Sequence, residues 1–462
     1  MKLFDIDHHN PYGVHVYGGT QFSPNFKQAV SLYHPATVAE SLVHDGSGPL
    51  PGFKDENYNW DRRPHRDRII RVSREELEVW HSILEGSETP LLESRMVYTV
   101  NREAAAVLAK LAAQPRMREL GIQYSAGWHE TSDRQAGYFD VEWGHPEKWS
   151  DAILQGPHLG VSLPMQKQPN PTMKHNQDWS FIDLEAMPEN FIPATAYKPQ
   201  RDLKPNYNAD YGAWEFNGEL VRVADTYRVA WRNMAATTGF RTMYPAIIPP
   251  GAAHINGVVS AASFNDERAW SSGAFAASLV ADFLVRAIGS NIYGSVFDLL
   301  PRITSEELAQ RITFPYLQLN CLTSAYADLW EEILGEPWSR DKALRIDEER
   351  RAAQIEIDVI AAISMGISAE ELCMVYRTQF PVMRRYDQED HFDANGRIVP
   401  KEVMDLHKKA GGEEALSVAD RTWAHPQSGV EYTYEYQFRV LDREADMRAK
   451  YAELEQELTT QP

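Results

Sequence analysis

Residues 267–289, ERAWSSGAFAASLVADFLVRAIG, read as a core helix. Phe275, Leu279 and Phe283 form one stripe at i, i+4 spacing, and Ala276, Val280, Leu284 and Ile288 form its neighbour. A helix apolar over so much of its circumference belongs inside a globular body. Upstream the character changes. Residues 157–205 carry eight prolines in 49 positions, and proline removes the amide proton that a helix interior or central strand requires. That segment reads as extended and irregular, and loops of such length in a compact domain usually carry function.

Between these two stretches, Gly218–Arg232 (GELVRVADTYRVAWR) alternates partly and then becomes helix-like. Tyr244–Pro250 (YPAIIPP) reads as one short strand leading into a turn. Downstream, Thr304-Ser305-Glu306-Glu307 is a capping box opening a helix before Phe314-Pro315. Ala352, Ile355, Val359 and Ile363 repeat at helical spacing within 341–364, Ser368 caps a further helix, and 441–458 is a polar helix with a thin apolar stripe. Toward the N-terminus, Ser73-Arg74-Glu75-Glu76 is another capping box and 101–113 an Ala- and Leu-rich helix ended by Gln114-Pro115, whereas the first 60 residues read as short strands and loops. The class is α+β. A mixed β/loop N-terminal part spans 1–150, an α/β domain 151–320, and a helical C-terminal part 321–462.

Composition limits what such a chain does. With 462 residues, 43% hydrophobic and 24% charged, it has ample material for a core and none of the signs of disorder. No run of about 18 apolar residues suggests a membrane span, and Met1–Asp5 turns polar too soon for a signal peptide. Two cysteines, Cys321 and Cys373, make neither a disulfide framework nor a thiolate zinc site. The expected setting is cytoplasmic. A net charge of −20 is wrong on average for contact with phosphates. Its distribution is uneven, however: residues 61–74 hold six Arg against two Asp, and Arg222, Arg228, Arg232 and Arg241 recur in an otherwise neutral stretch. Acidity concentrates at 328–371 and 442–457.

Catalytic constellations are hard to find. Adenine amino-methylation needs an Asn/Asp/Ser-Pro-Pro-aromatic tetrapeptide to hold the flipped base, and the one Pro-Pro, Pro249-Pro250, lies between Ile248 and Gly251. Gly46-Ser47-Gly48 lacks the flanking strand and helix of a nucleotide loop. Asp202-Leu203-Lys204 has the acid-x-Lys form of a magnesium nuclease, and Asp5, Asp7, His8 and His9 are conceivable metal ligands. A surface turn and a polar loop are the simpler readings of these two. We therefore expect no catalytic residue and no metal in this chain.

Several stretches resemble, in order, the C-terminal half of large single-chain adenine-specific DNA methyltransferases, those of type IIG restriction-modification enzymes and of BREX and DISARM phage-defence systems. These stretches are Lys2-Leu3-Phe4 through Gln21-Phe22, then Arg71–Leu77 followed by Thr89-Pro90-Leu91, and Trp128-His129-Glu130-Thr131-Ser132-Asp133, similar to a turn leading into target recognition. Tyr227–Pro250 (YRVAWRNMAATTGFRTMYPAIIPP) is similar to the family's strand-turn segment, with Gly239-Phe240-Arg241 where Asn-Glu-Arg is usual. Ser278–Pro301, Glu349-Arg350-Arg351 with Glu356-Ile357-Asp358, Gln379-Phe380-Pro381 and Phe392–Arg397 complete the likeness.

The resemblance implies a DNA target-recognition (specificity) subunit of a split N6-adenine methyltransferase, with 151–320 as the target-recognition domain. The partners would be double-stranded DNA and a separate methyltransferase chain, with further defence-system subunits and no membrane. S-adenosylmethionine would sit in the partner chain, and residues 1–60 and the C-terminal helices would dock it. Candidate DNA-binding residues are Lys167, Gln168, Asn170 and Lys174 in the long loop, where Gln166, His175, Asn176 and Gln177 add amides and donors, and Arg228, Arg232, Arg241, His254 and Asn256 around the proline turn. The alternatives are a metal-dependent nuclease subunit using Asp202 and Lys204 or the His8-His9 cluster, and a scaffold that reads no DNA. The missing glycine loop and tetrapeptide lead to one expectation: titration calorimetry of the isolated chain with S-adenosylmethionine shows no binding, and a micromolar isotherm would overturn it.

Overall fold

The computed structural model describes residues 13–19, 23–85, 88–216, 218–234, 239–262, 268–289 and 294–460. It has the α+β architecture expected, helices alongside several small sheets. Two compact units are present, Met1–Ala113 with Met374–Pro381, and Gln114–Cys373 with Val382–Pro462. They do not follow the boundaries expected at 150 and 320. The first break falls where Gln114-Pro115 ends a helix.

In the smaller unit, a two-stranded antiparallel ribbon pairs Phe26–Gln28 with Ile70–Val72. Helices Ala36–Val43, Arg74–Leu84 and Arg102–Ala112 accompany it. The first lies within the stretch expected to hold only strands and loops. The Ser73 capping box forms, with Ser73 N donating to Glu76 at 2.9 Å, and Asn101 caps the third helix by accepting from Ala104 N at 2.8 Å. Val72, Trp80, Ile83, Val107, Leu108 and Leu111 form the buried interior.

The larger unit is organised on a four-stranded sheet, in the order Ala246–Ile248, Arg228–Arg232, Val258–Ala262, Gln123–Ser125, with every pairing antiparallel. The expectation of helix at the end of 218–232 is corrected here. Arg228–Arg232 is a central strand buried on both faces, so the alternation that marks a half-exposed strand is absent. Trp231 stacks on Phe297 at 4.8 Å. Tyr244–Pro250 supplies its strand as expected.

The core helix of 267–289 is two helices, Arg268–Ala276 and Leu279–Ile288, bent by 68°. Ser278 is the cause. Its backbone turns extended, its hydroxyl donates to Phe275 O at 2.7 Å and accepts from Ala281 N at 3.1 Å, and Asp358 accepts the Leu279 amide at 2.7 Å. The opposite correction applies at Pro315. The helix expected to end there runs from Glu306 to Asn320, because Ile312, Tyr316, Leu317 and Leu319 on either side are buried. That burial outweighs the roughly 3 kcal/mol cost of an interior proline. Helices Asp347–Ser364, Ala369–Gln379, Pro381–Glu389, Lys401–Lys409 and Arg443–Thr460 follow, with a short hairpin of Thr422–Ala424 and Glu431–Thr433. Among the described residues, no single helix is long and apolar enough to cross a membrane.

Two buried carboxylates on this helical layer behave oppositely. Burial alone would raise Asp282, but Arg286 at 3.3 Å and Arg241 at 2.6 Å hold its carboxyl below the ordinary range. Among the described residues Asp358 stands in no ion pair, and burial, only partly offset by the charges of Arg241 and Arg443, pushes it up to about 6. In the unfolded chain an aspartate titrates near pH 3.9, so the folded state binds this proton more tightly. The contribution of Asp358 to stability is therefore fully favourable below about pH 4 and is lost as pH rises through about 6. Asp358→Asn keeps an oxygen for the Leu279 amide without the charge. It should raise stability at pH 7, by about 3 kcal/mol at most, and flatten the pH dependence between about 4 and 6. Urea unfolding across that range measures it, and a loss of stability at pH 7 would contradict it.

Candidate nucleic-acid interface

Within the proline-rich segment, Lys167–Pro169 and Trp179–Phe181 pair as an antiparallel hairpin, Lys167 opposite Phe181 and Pro169 opposite Trp179. Its base is anchored. Trp143 Nε1 donates to Pro169 O at 2.8 Å, and Gln168 Oε1 accepts from Ala194 N at 3.1 Å. His158 packs edge-on to Trp179 at 4.8 Å, with Nε2 3.0 Å from Ala194 O and Nδ1 accepting from Gln155 N at 2.9 Å. Burial pushes this imidazole down to about 4, so it is neutral, with its proton on Nε2.

The connecting loop is held by one carboxylate. Asp178 accepts from Thr172 Oγ1 at 2.6 Å, Asn170 Nδ2 at 2.9 Å and the Lys174 amide at 2.9 Å, and Ser180 Oγ donates to Asn170 Oδ1 at 2.7 Å. The Thr172 and Asn170 hydrogen bonds pull the Asp178 carboxyl down to about 2. Outside this clamp the tip residues Lys174, His175, Asn176 and Gln177 are exposed. His175 Nδ1 accepts the Gln177 amide at 3.2 Å, which leaves Nε2 as the ring's donor. Beside the tip, Lys167 Nζ lies 4.1 Å above the ring of Phe181, whose surface is 58% exposed. Burial lowers the Lys167 ammonium.

Of the other residues expected to touch DNA, Gln168, Arg228, Arg241 and His254 are buried and Arg232 and Asn256 half-buried, and each is engaged within the fold. Arg228 is fully buried and donates to Ala252 O, and to Thr226 O at 3.3 Å. Arg241 is bound to Asp282 and to Ala277 O at 2.6 Å. Arg232 donates to Leu159 O at 2.9 Å and Gln166 Oε1 at 2.8 Å, and its guanidinium lies 4.1 Å from the ring centre of Tyr244. His254 is sealed between Ser260 Oγ at 2.8 Å and Ile255 O at 3.1 Å, and burial pushes it down to about 3. Gln168 is buried at the hairpin base. Half-buried Asn256 accepts from Glu130 N at 3.2 Å, tying down the turn in which His129 N donates to Asp133 at 2.6 Å. The physical reason is common to them. Irregular backbone leaves carbonyls and amides without strand or helix partners, and these polar side chains satisfy both kinds of group. Lys174 is the one candidate fully at the surface, with Lys167 and Asn170 partly so. Asp178 was missed, though an Asp after a loop rich in Asn and Thr is a signal for such a clamp.

Asp202 is exposed on a turn where Lys204 N donates to Arg201 O at 3.1 Å and Lys204 Nζ lies 4.7 Å above the Tyr138 ring. Asp5, Asp7, His8 and His9 lie outside the described residues, as do Lys2-Leu3-Phe4 and Gln21-Phe22. Among the described residues, no three His, Cys, Asp or Glu side chains converge as a metal site. Compared with known proteins, the chain matches no family model and no curated protein.

Asp178 gives the site its own pH dependence. A carboxylate held below its unfolded value stabilises the folded loop above about pH 4, and the effect is lost as pH falls through about 2. Asp178→Ala should therefore speed amide exchange at residues 172–177 at pH 7 while leaving the global melting temperature nearly unchanged. Unaltered exchange at the Lys174 amide would show that the clamp does not order the tip.

Proposed function

We propose that the chain is a DNA target-recognition subunit of a split N6-adenine methyltransferase, working in a restriction-modification or phage-defence system beside a separate methyltransferase chain that binds S-adenosylmethionine. The observation that carries the reading is the hairpin tip. A buried base and an Asp178 clamp present Lys174, His175, Asn176 and Gln177 to solvent on a two-stranded ribbon. A ribbon of this kind fits the major groove, which is about 12 Å wide. The amides of Asn176 and Gln177 offer the donor and acceptor pair that reads N6 and N7 of adenine. Lys174 and the Nε2–H of His175 are donors for guanine edges or phosphate oxygens.

Rigidity matters as much as chemistry, because a loop already ordered loses less freedom on binding. The inward-bonded Arg228, Arg232 and Arg241 serve this reading indirectly, by fixing the sheet and loops around the hairpin. The family-ordered motifs support the same class of function. A nuclease built on Asp202 and Lys204, or a scaffold that reads nothing, has no comparable arrangement behind it.

Alanine at Asn176 or Gln177 should relax one base position, a discrimination of about 1–3 kcal/mol. Lys174→Ala should instead weaken binding to all sequences, or flatten the log–log salt slope by about 0.9 if it contacts phosphate. Anisotropy titrations on duplex libraries across salt, with mapping of methylated sites in the presence of the partner enzyme, separate these effects. A site preference unchanged in both amide variants would overturn the assignment of base reading to the tip.

A further inference from the structure

Charge in the smaller unit is sorted by depth. Residues 61–74 contain two acids and six arginines, and the acids face inward. The Asp61 carboxylate is fully buried, with Arg63 at 2.6 Å, Arg68 at 3.2 Å and the Gly52 amide at 3.0 Å. Asp67 is 13% exposed, with Arg102 at 3.7 Å and Arg66 at 4.0 Å. Arg62, Arg66 and Arg71 point outward. The unit holds 13 Lys and Arg against 15 Asp and Glu, so it carries −2 of the chain's −20.

On the ribbon this sorting produces a pair that works against the fold. Lys27 stands directly opposite Arg71. Both are exposed, whereas Gln28, Ile70 and Val72 face inward. Side chains so opposed have Cβ atoms about 4.5–5.5 Å apart, and like charges there repel. Arg71 Nε donates to Asn25 Oδ1 at 3.0 Å, and Glu76, the acid that senses Arg71, is turned to the Ser73 amide at 2.9 Å. Among the described residues, Lys27 and Arg71 stand in no ion pair. An oxyanion seated against both would remove the repulsion, and a guanidinium beside an ammonium suits a phosphate oxygen pair.

We propose that the Lys27–Arg71 pair is a contact for the phosphate backbone of double-stranded DNA, a second nucleic-acid surface separate in role from the hairpin tip. The inference rests on the DNA-binding reading and adds to it a contact that holds DNA without reading sequence.

The test uses the full chain, a mixed-sequence duplex titrated across NaCl, and phosphatidylserine vesicles as a second anionic probe. In Lys27→Glu, an opposing Glu–Arg pair replaces two like charges, so the melting temperature should rise. Duplex affinity should nonetheless fall, by roughly eightfold at about 0.1 M salt for one phosphate contact, with a salt slope shallower by about 0.9. Base preference should not change. Lys27→Ala with Arg71→Ala should lose about twice that slope, with a smaller gain in melting temperature because repulsion is removed but no attraction is added. A stabilised Lys27→Glu chain whose duplex affinity and slope match the wild type overturns this inference alone. Wild-type binding to vesicles but not duplex, or to neither, overturns it together with the DNA-binding reading.

Discussion

The larger unit depends on guanidinium groups that donate to main-chain carbonyls. Arg116 reaches Leu299 O, Arg228 reaches Ala252 O, Arg232 reaches Leu159 O and Arg345 reaches Leu322 O. Arg350 alone donates to Leu319, Leu344 and Ser162 carbonyls, at 3.1, 2.8 and 3.2 Å. A fold with many short strands and long connections has carbonyls to which no ladder or helix amide donates, and a planar group with five N–H donors can serve several at once. Burial pulls Arg116, Arg345 and Arg350 down to about 10, which still leaves each charged at neutral pH. Lysine, with a single nitrogen, could not replace this geometry.

This dependence explains what could and could not be read from the sequence. Helical periodicity and capping boxes are local signals, so the helices beginning at Arg74, Arg102, Glu306 and Ala369 were legible. The break at Ser278 was not, because it rests on a carboxylate 80 positions later, Asp358, and on a serine that reads equally well within a helix. Arg228–Arg232 misled for a related reason: a strand covered on both faces has no alternation to detect. The interface was legible in part. An amide- and lysine-dense loop marked Lys174 through Gln177, whereas the arginines that looked like phosphate contacts face inward for reasons that no local pattern encodes.

The net charge of −20 and the proposed DNA-binding role are reconciled by locality. Screening limits the reach of a charge to about 8 Å at physiological ionic strength, so the charge beside a contact counts for more than the chain's total. Overall acidity would slow encounter and favour solubility, while on the proposed reading affinity would rest on the few outward cations and the clamped tip.

Asp282 and Arg286 have a further consequence, before the chain has folded. They stand in the middle of the apolar run Leu279–Ile288, which follows Gly273–Ser278 almost without polar interruption. During synthesis that run is exposed, and without charges it would be prone to self-association or to capture by a bilayer. Each ionised residue near the centre of such a segment opposes insertion by about 2.5–3.5 kcal/mol, and charges within apolar runs act as gatekeepers against aggregation. In the folded state the same two side chains are locked together with Arg241 beneath the surface. The same charges thus oppose insertion and aggregation before folding and order the core afterward.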